Sequence, residues 1–253
     1  MNKLYVGMMV YNAGPILQSC IESTINHVDG FCIVDGSRFG PSTDGSLDII
    51  KKFGSKITFY EAGTWKLPSG AHDFFGQEKV YLKGIPKEFD CWVLSQDADE
   101  AYSEDGIRRV VEAIQSAPDD VGSFSVRWNH FIGSPHFIGG DEYWHTAGRT
   151  PIFRHEQLGK VLRYKVLIPG VYVYHYSMAQ SKERQRFRVQ EYLKRGEYAK
   201  DGYPADTPWE VYYKEVWEKY ENDPLGSSPA VPFTGEHPEA IKRHSLEIFG
   251  EQL

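Results

Sequence analysis

The first hundred residues alternate short apolar runs with amphipathic stretches, and this order constrains the fold more than any other feature of the chain. Residues 3–11 read as a strand and 15–28 as a helix opened by Asn12 and Pro15. Phe31-Cys32-Ile33-Val34 is a second, short strand ending at Asp35. A Gly/Ser/Thr loop over 36–45 leads into a helix from Ser46 to Phe53, with Leu47, Ile49, Ile50 and Phe53 as its apolar positions. Ile57 to Tyr60 predicts a third strand, 69–85 a helix, and 91–96 a fourth strand. A β-α-β-α-β-α-β order predicts an α/β fold, with a mostly parallel sheet covered by helices on both faces.

The pattern then changes. Residues 103–116 predict one more helix, begun by Ser103 with Glu104 and Asp105 in its first turn. Residues 121–176 are richer in strands, aromatics and glycines, with apolar segments at 123–128, 150–154 and 161–174. They predict a mixed or antiparallel portion packed against the first. Residues 181–221 read as helical, with Pro204 and Pro208 dividing two helices, and the Pro/Gly/Ser-rich stretch from Asn222 to Pro238 reads as surface loop. The expected division is 1–120, 121–180 within the same domain, and 181–253.

Composition removes several classes of function. Hydrophobic residues at 41%, with 14% aromatic, suffice for a sizeable core and argue against disorder. No apolar run approaches the roughly 20 residues of a membrane span. Leu4 to Val10 is too short for a span or a signal segment and reads as a core strand. Cys20, Cys32 and Cys91 are odd in number, lack metal-knuckle spacing and include two in apolar strands, which fits a reduced cytoplasmic protein. A net charge of −7 argues against broad, charge-driven binding to nucleic acid or anionic membrane. Lys182, Arg184, Arg186 and Arg188 cluster in one predicted helix, but with Glu183 and Glu191 interleaved they read as a solvated face.

Ligands of doubly covered sheets bind beyond the carboxyl ends of the strands. Four predicted strand ends carry candidate polar or aromatic residues there: Tyr11-Asn12, Asp35, Trp65-Lys66, and Asp97-Ala98-Asp99-Glu100. Two carboxylates one residue apart at a strand end make an oxygen-rich site for a hard divalent cation. Plainer readings stand beside these. Asp35 before Gly36 is also a turn signal. Tyr11, Trp65 and Trp144 also suit a core or rim, and His175 between Tyr174 and Tyr176 also suits a hydrogen-bonded structural histidine.

Val10-Tyr11-Asn12, Ile33-Val34-Asp35-Gly36-Ser37, Ser42-Thr43-Asp44-Gly45-Ser46 and Asp97-Ala98-Asp99-Glu100 form an ordered set that resembles the family 2 glycosyltransferases, which have the GT-A fold. The resemblance covers the first hundred residues, with two departures: one acidic residue is missing before Gly36, and Arg38 to Ser42 are inserted after Ser37. Asp73-Phe74-Phe75-Gly76-Gln77-Glu78-Lys79, with Trp65 before it, looks like the family's linker into the fourth strand. Past residue 120, Trp128 to Ser134, Tyr143-Trp144, Arg149, Ile152-Phe153-Arg154 and Val173 to Ser177 resemble a bacterial and phage subgroup.

The resemblance implies a nucleotide-sugar-binding half over 1–120, an acceptor-side segment over 121–180, and C-terminal helices and loop beyond. Tyr11, Asp35, Lys79 and Asp97 would bind the nucleotide, Tyr11 bordering the base and Asp97 on the ribose side. Asp99, with Asp97 and His175, would hold Mn2+ or Mg2+. Trp65 and Trp144 would face sugar or acceptor. Asp141 or Glu142, after the Gly139-Gly140 turn, would serve as the acceptor base of an inverting enzyme, with His145 a further candidate. The implied reaction moves a sugar from a nucleoside-diphosphate sugar, UDP-sugar foremost, to a hydroxyl of a bacterial surface glycan or lipid-linked saccharide. A hydroxymethylated DNA base is the alternative acceptor, and a non-catalytic nucleotide- or carbohydrate-binding module the alternative function. A sugar nucleotidyltransferase is disfavoured, because Tyr11-Asn12-Ala13-Gly14-Pro15 stands where that class needs a Gly-rich loop with a following Arg and Lys.

Overall fold

The structure is a computed structural model that describes residues 2–70, 72–86, 91–139, 149–154, 165–196, 198–219 and 230–253. Strand β1 (Lys3–Val10) pairs in parallel with β2 (Gly30–Asp35) on one side and β4 (Cys91–Ser95) on the other, and β3 (Ile57–Ala62) lies beyond β2, also parallel. Helices α1 (Ile16–Glu22), α2 (Ser46–Lys51) and α3 (Phe74–Lys83) belong to the crossovers.

Side chains of a strand alternate between its faces, and β1 shows what each face holds. Leu4, Val6, Met8 and Val10 join one apolar cluster with Leu17 and Ile21 of α1, Ile50 of α2, and Ile107, Val110 and Ile114 of α4 (Glu104–Gln115). Tyr5 joins the opposite cluster with Val80, Tyr81 and Leu82 of α3. Position 7 falls on that second face and is a glycine where Tyr81 packs against the strand: a Cβ there would stand 2.3 Å from the Tyr81 ring.

Beyond β4 the sheet turns antiparallel through β8 (Arg149–Arg154) to β6 (Ser123–Ile132), β7 (Phe137–Gly139) and β10 (Ala230–Pro232). The 14-residue β9 (Lys165–Met178) runs parallel to β6 and antiparallel to the short β5 (Glu100–Tyr102). Helix α5 (Lys182–Lys194) follows β9, and α6 (Trp209–Tyr212) continues into a wider π turn over Tyr213–Trp217. Helices α7 (Glu239–Arg243) and α8 (Ser245–Phe249) bring Ile241 and Ile248 against Ile16 and Cys20 of α1.

Several boundaries differ from the sequence expectation. The helix expected over 69–85 starts at Phe74, because the Asp73 carboxylate accepts the Gly76 N–H at 2.8 Å and caps it there. The helix expected over 15–28 stops at Glu22, where the Ser23 hydroxyl turns back to the Cys20 carbonyl. Part of the expected loop over 222–238 is strand β10, which closes the antiparallel edge beside β7. All three cysteines are buried free thiols. No helix among the described residues is long and apolar enough to cross a membrane.

Candidate active site

At the carboxyl ends of β1 and β4, where strand order reverses, a cavity of about 400 Å³ opens. Tyr11 and Asn12 after β1, Gly36 after β2 and Asp97 to Asp99 after β4 border it from the sheet side. His175 and Ser177 of β9 and Arg184, Arg188 and Glu191 of α5 border it from the other.

The Asp97–Asp99 turn is pinned from beneath. Glu100 is fully buried and its Oε2 accepts the Asp97 N–H at 2.9 Å. Gln96, also buried, donates Nε2 to the carbonyls of Glu100 (2.7 Å) and Cys20 (3.0 Å). The pairing of β5 with β9 sets Glu100 opposite His175, and the Tyr176 N–H donates to the Asp99 carbonyl at 3.0 Å. Chain geometry therefore delivers His175 to Asp99.

The Asp99 carboxylate lies between an imidazole and a guanidinium. Its Oδ1 lies 3.3 Å from His175 Nε2, and its Oδ2 accepts from Arg188 Nη1 at 2.7 Å. Burial by itself would raise the Asp99 pKa; His175 and Arg188 outweigh burial and hold the carboxyl well below the usual carboxylate range. Arg188 is fixed further: Nη1 donates to the Ser177 carbonyl at 2.8 Å and Nη2 to the Tyr192 hydroxyl at 2.7 Å. Burial disfavours its charge, but Asp99 more than offsets this and keeps the guanidinium protonated.

Behind His175 stands His130 of β6, Nδ1 to Nδ1 at 2.6 Å, and Trp128 stacks on the His175 ring with centroids 4.9 Å apart. Burial, with the neighbouring His175, lowers the His130 pKa to about 4, so this imidazole is neutral at neutral pH.

Of the residues expected from the sequence, Tyr11, Asp97, Asp99 and His175 meet at this cavity. The Tyr11 hydroxyl donates to Glu191 Oε2 at 3.1 Å, tying β1 to α5, and burial pushes its pKa up. Asp35 is placed differently. It is 1% exposed, Oδ1 accepts from the N–H (3.2 Å) and hydroxyl (2.5 Å) of Ser42, and Oδ2 accepts from the Tyr60 hydroxyl at 2.9 Å. The inserted Arg38–Ser42 segment makes a tight turn, bridged Ser37 to Gly40, that returns Ser42 over the carboxylate, and Gly36 is what faces the cavity. Trp65 is half-buried and donates Nε1 to the Asp35 carbonyl at 3.2 Å. Lys79 is exposed on the outer face of α3 and does not border the cavity. Asp141, Glu142, Trp144 and His145 lie outside the described residues.

The basic helix corrects the sequence expectation. Lys182, Glu183 and Arg186 are exposed, but Arg184 and Arg188 are only 16% and 19% exposed at the side chain and reach inward. The signal for this was the spacing: Arg184, Phe187, Arg188 and Glu191 fall at the 3-4 interval that places residues on one helix face, and all four line the cavity. His130 carried no comparable signal, since only the register of β6 on β9 brings it to His175.

A divalent cation fits this donor set. Neighbouring ligands of an octahedral ion with bonds of about 2.1 Å stand about 3 Å apart, and Mg2+-type sites take one or two protein ligands with phosphates and waters completing the shell. Asp99 Oδ1 and His175 Nε2, at 3.3 Å, meet that spacing. Among the described residues no three His, Cys, Asp or Glu side chains form a complete protein cage, so substrate and water would supply the remaining positions.

A glycosyl transferase family 2 profile matches residues 5–168. The chain belongs to that family. Its layers of parallel sheet, antiparallel extension and helices are the GT-A arrangement of that family. Among solved structures it is similar to S. aureus TarS, with a TM-score of 0.46 at 15% identity over 86% of this chain and 46% of that one. TarS residues 1–349 give 0.43 at 16% identity, over 89% and 75% of the two chains. The same fragment in complex with UDP-GlcNAc gives 0.44 at 16% identity, over 76% and 64%. The chain thus spans under half of the longer TarS chain. No curated protein matches it in sequence.

Proposed function

We propose that the chain is a glycosyltransferase that uses a divalent cation, Mn2+ or Mg2+, to move a sugar from a nucleoside-diphosphate sugar, UDP-sugar foremost, onto a hydroxyl of a surface glycan or lipid-linked saccharide in the cytoplasm. The observation that carries this reading is the convergence of Asp97, Asp99, His175, Arg184 and Arg188 on one cavity at the switch point of a family 2 fold. When bound, the cation would neutralise charge on the departing diphosphate. Asp99 and His175 would hold it and Asp97 would stand on the ribose side. Tyr11, held by Glu191, would border the base. Asp35 would act from behind, fixing through Ser42 the loop that shapes the nucleotide pocket. The two guanidiniums of α5 would meet the phosphates, where charge-assisted hydrogen bonds are strongest. Asp141 or Glu142 is the proposed acceptor base and Trp144 the acceptor platform.

Released nucleoside diphosphate tests the reading across UDP-, GDP- and dTDP-sugars with Mn2+, Mg2+ or EDTA. Cation-dependent release from at least one donor is expected. Release unaffected by EDTA would remove the cation, and no binding of any of the nucleotides would remove the donor.

A further inference from the structure

We propose that Gln180 and Ser177 form the pocket for the donor's sugar, and that the sugar taken there is neutral and hydroxyl-bearing. The inference rests on the nucleoside-diphosphate-sugar reading above and names the part of the donor that this reading leaves open.

Helix α5 runs along the cavity and sets the order of what lies beside it. Glu191, Arg188 and Arg184 all border the cavity, and at 1.5 Å of rise per residue they span about 10 Å of the helix axis. At the level of Glu191 the helix meets the Tyr11 hydroxyl, and at the level of Arg188 it meets Asp99. Base, diphosphate and sugar follow one another in such a donor. With its base at Tyr11 and its phosphates at Arg188, the sugar would reach the end of the cavity where α5 begins. Ser177, near the end of β9, and Gln180, in the turn that leads to α5, border the cavity there.

The fold does not use either side chain. Gln180 is 5% exposed and Ser177 6%. Their carbonyls are engaged, by Gln185 Nε2 at 2.6 Å and by Arg188 Nη1 at 2.8 Å, but the Gln180 amide and the Ser177 hydroxyl make no hydrogen bond among the described residues. The other buried glutamines behave differently: Gln77 bonds His72 and the Gly36 carbonyl, and Gln96 bonds Thr24 and the carbonyls of Cys20 and Glu100. A polar group buried without partners costs stability, and a ligand that supplies the partners recovers that cost. The two groups also select the ligand. An amide and a hydroxyl each donate and accept, as sugar hydroxyls do. The carboxylate of an acidic sugar only accepts, so it would leave the Gln180 oxygen without a donor. It would also join Asp97 and Asp99 in one cavity, where like charges repel.

The test is calorimetry of the intact chain, with Mn2+ present, against UDP, GDP and dTDP and against UDP-glucose, UDP-N-acetylglucosamine, GDP-mannose, dTDP-glucose and UDP-glucuronate. Thermal unfolding accompanies it. Gln180→Met keeps the side-chain length and removes the amide, and Ser177→Ala removes the hydroxyl. Each variant should bind the accepted neutral nucleotide-sugar about fivefold to tenfold more weakly, and its nucleoside diphosphate as tightly as the wild type does. The thermal midpoint of each should equal or exceed that of the wild type, because a buried polar group without a protein partner has been removed. An equal loss for nucleoside diphosphate and nucleotide-sugar, no loss for either, or a lowered midpoint in Gln180→Met would overturn the proposal. In the wild type, tighter binding of UDP-glucuronate than of every neutral donor, or binding of a nucleoside diphosphate but of no neutral donor, would overturn it without recourse to a variant. Failure of UDP, GDP and dTDP alike to bind would instead overturn the function it rests on.

Discussion

His130 and His175 face each other Nδ1 to Nδ1 at 2.6 Å, in register on the paired strands β6 and β9. Only one of the two facing nitrogens can carry the shared proton. If Nε2 of His175 is to offer its lone pair beside Asp99, its proton must sit on Nδ1 and be donated to His130, which burial keeps neutral. On the proposed cation reading, His130 would be a positioning residue for His175. His130→Ala should weaken Mn2+ affinity, measured with nucleotide present, by about 10–100-fold, the usual cost of losing a ligand's orienting partner. Unchanged affinity would make the pair purely structural.

Asp99 has a structural duty beside the chemical one proposed for it. Asp99→Asn should reduce turnover by at least about a hundredfold. It should also destabilise the fold by about 3–5 kcal/mol, because Arg188 would be left buried without its counter-charge. The double variant Asp99→Asn with Arg188→Met separates the two effects: urea unfolding should recover most of the stability, and turnover should not recover.

Gly36 borders the cavity at φ +130°, and a Cβ there would stand 2.1 Å from the Gly63 carbonyl oxygen. The obstacle is backbone, so no rotamer change relieves it. Gly36→Ala should cost about 3 kcal/mol or more and reduce nucleotide affinity with it. A thermal midpoint equal to wild type would show that the 36–42 turn adapts.

Tyr60→Phe removes the hydroxyl that donates to Asp35 Oδ2, and burial with that same bond raises the Tyr60 pKa. Asp35 is 1% exposed, so its oxygen would lose a partner with little access to water. The expected loss is about 1–3 kcal/mol in urea unfolding. Nucleotide affinity should change little, since the carboxylate faces Ser42 and Tyr60 rather than the cavity.

His237, whose Nδ1 lies 2.9 Å from the Tyr176 hydroxyl, is lowered to about 4 by burial and then by the charge of His136. The unfolded chain binds this proton near pH 6.5, and the folded chain resists it until about pH 4. The resulting stability is present in full above about 6.5 and lost as pH falls toward 4, on the order of 3 kcal/mol over the window. His237→Asn should flatten part of the decline between pH 7 and 4.5. His130, depressed in the same direction, accounts for a further part. An unaltered slope in His237→Asn would show that this imidazole titrates normally.

Much of the site follows from patterns local in the chain. The strand and helix periods predict the parallel sheet, and ligands of such a sheet sit at its strand ends, which is where Tyr11, Asp97 and Asp99 are found. Asp35 marks the limit of that reasoning. An acidic residue before a glycine at a strand end looks the same in sequence whether its oxygens face a ligand or, as here, a serine 7 residues on and a tyrosine 25 residues on.

The sequence by itself determined the layered α/β architecture and the family, because hydrophobic period and strand-end motifs depend on a few neighbouring residues. Tertiary structure alone decided which charges meet. Asp99 and Arg188 are 89 residues apart, and His130 and His175 are 45 apart. The first pair is made by the packing of α5 over the sheet and the second by the register of β9 on β6. Neither leaves a trace in local composition, since a guanidinium at the same helical spacing is stable facing water until a buried carboxylate is brought within reach.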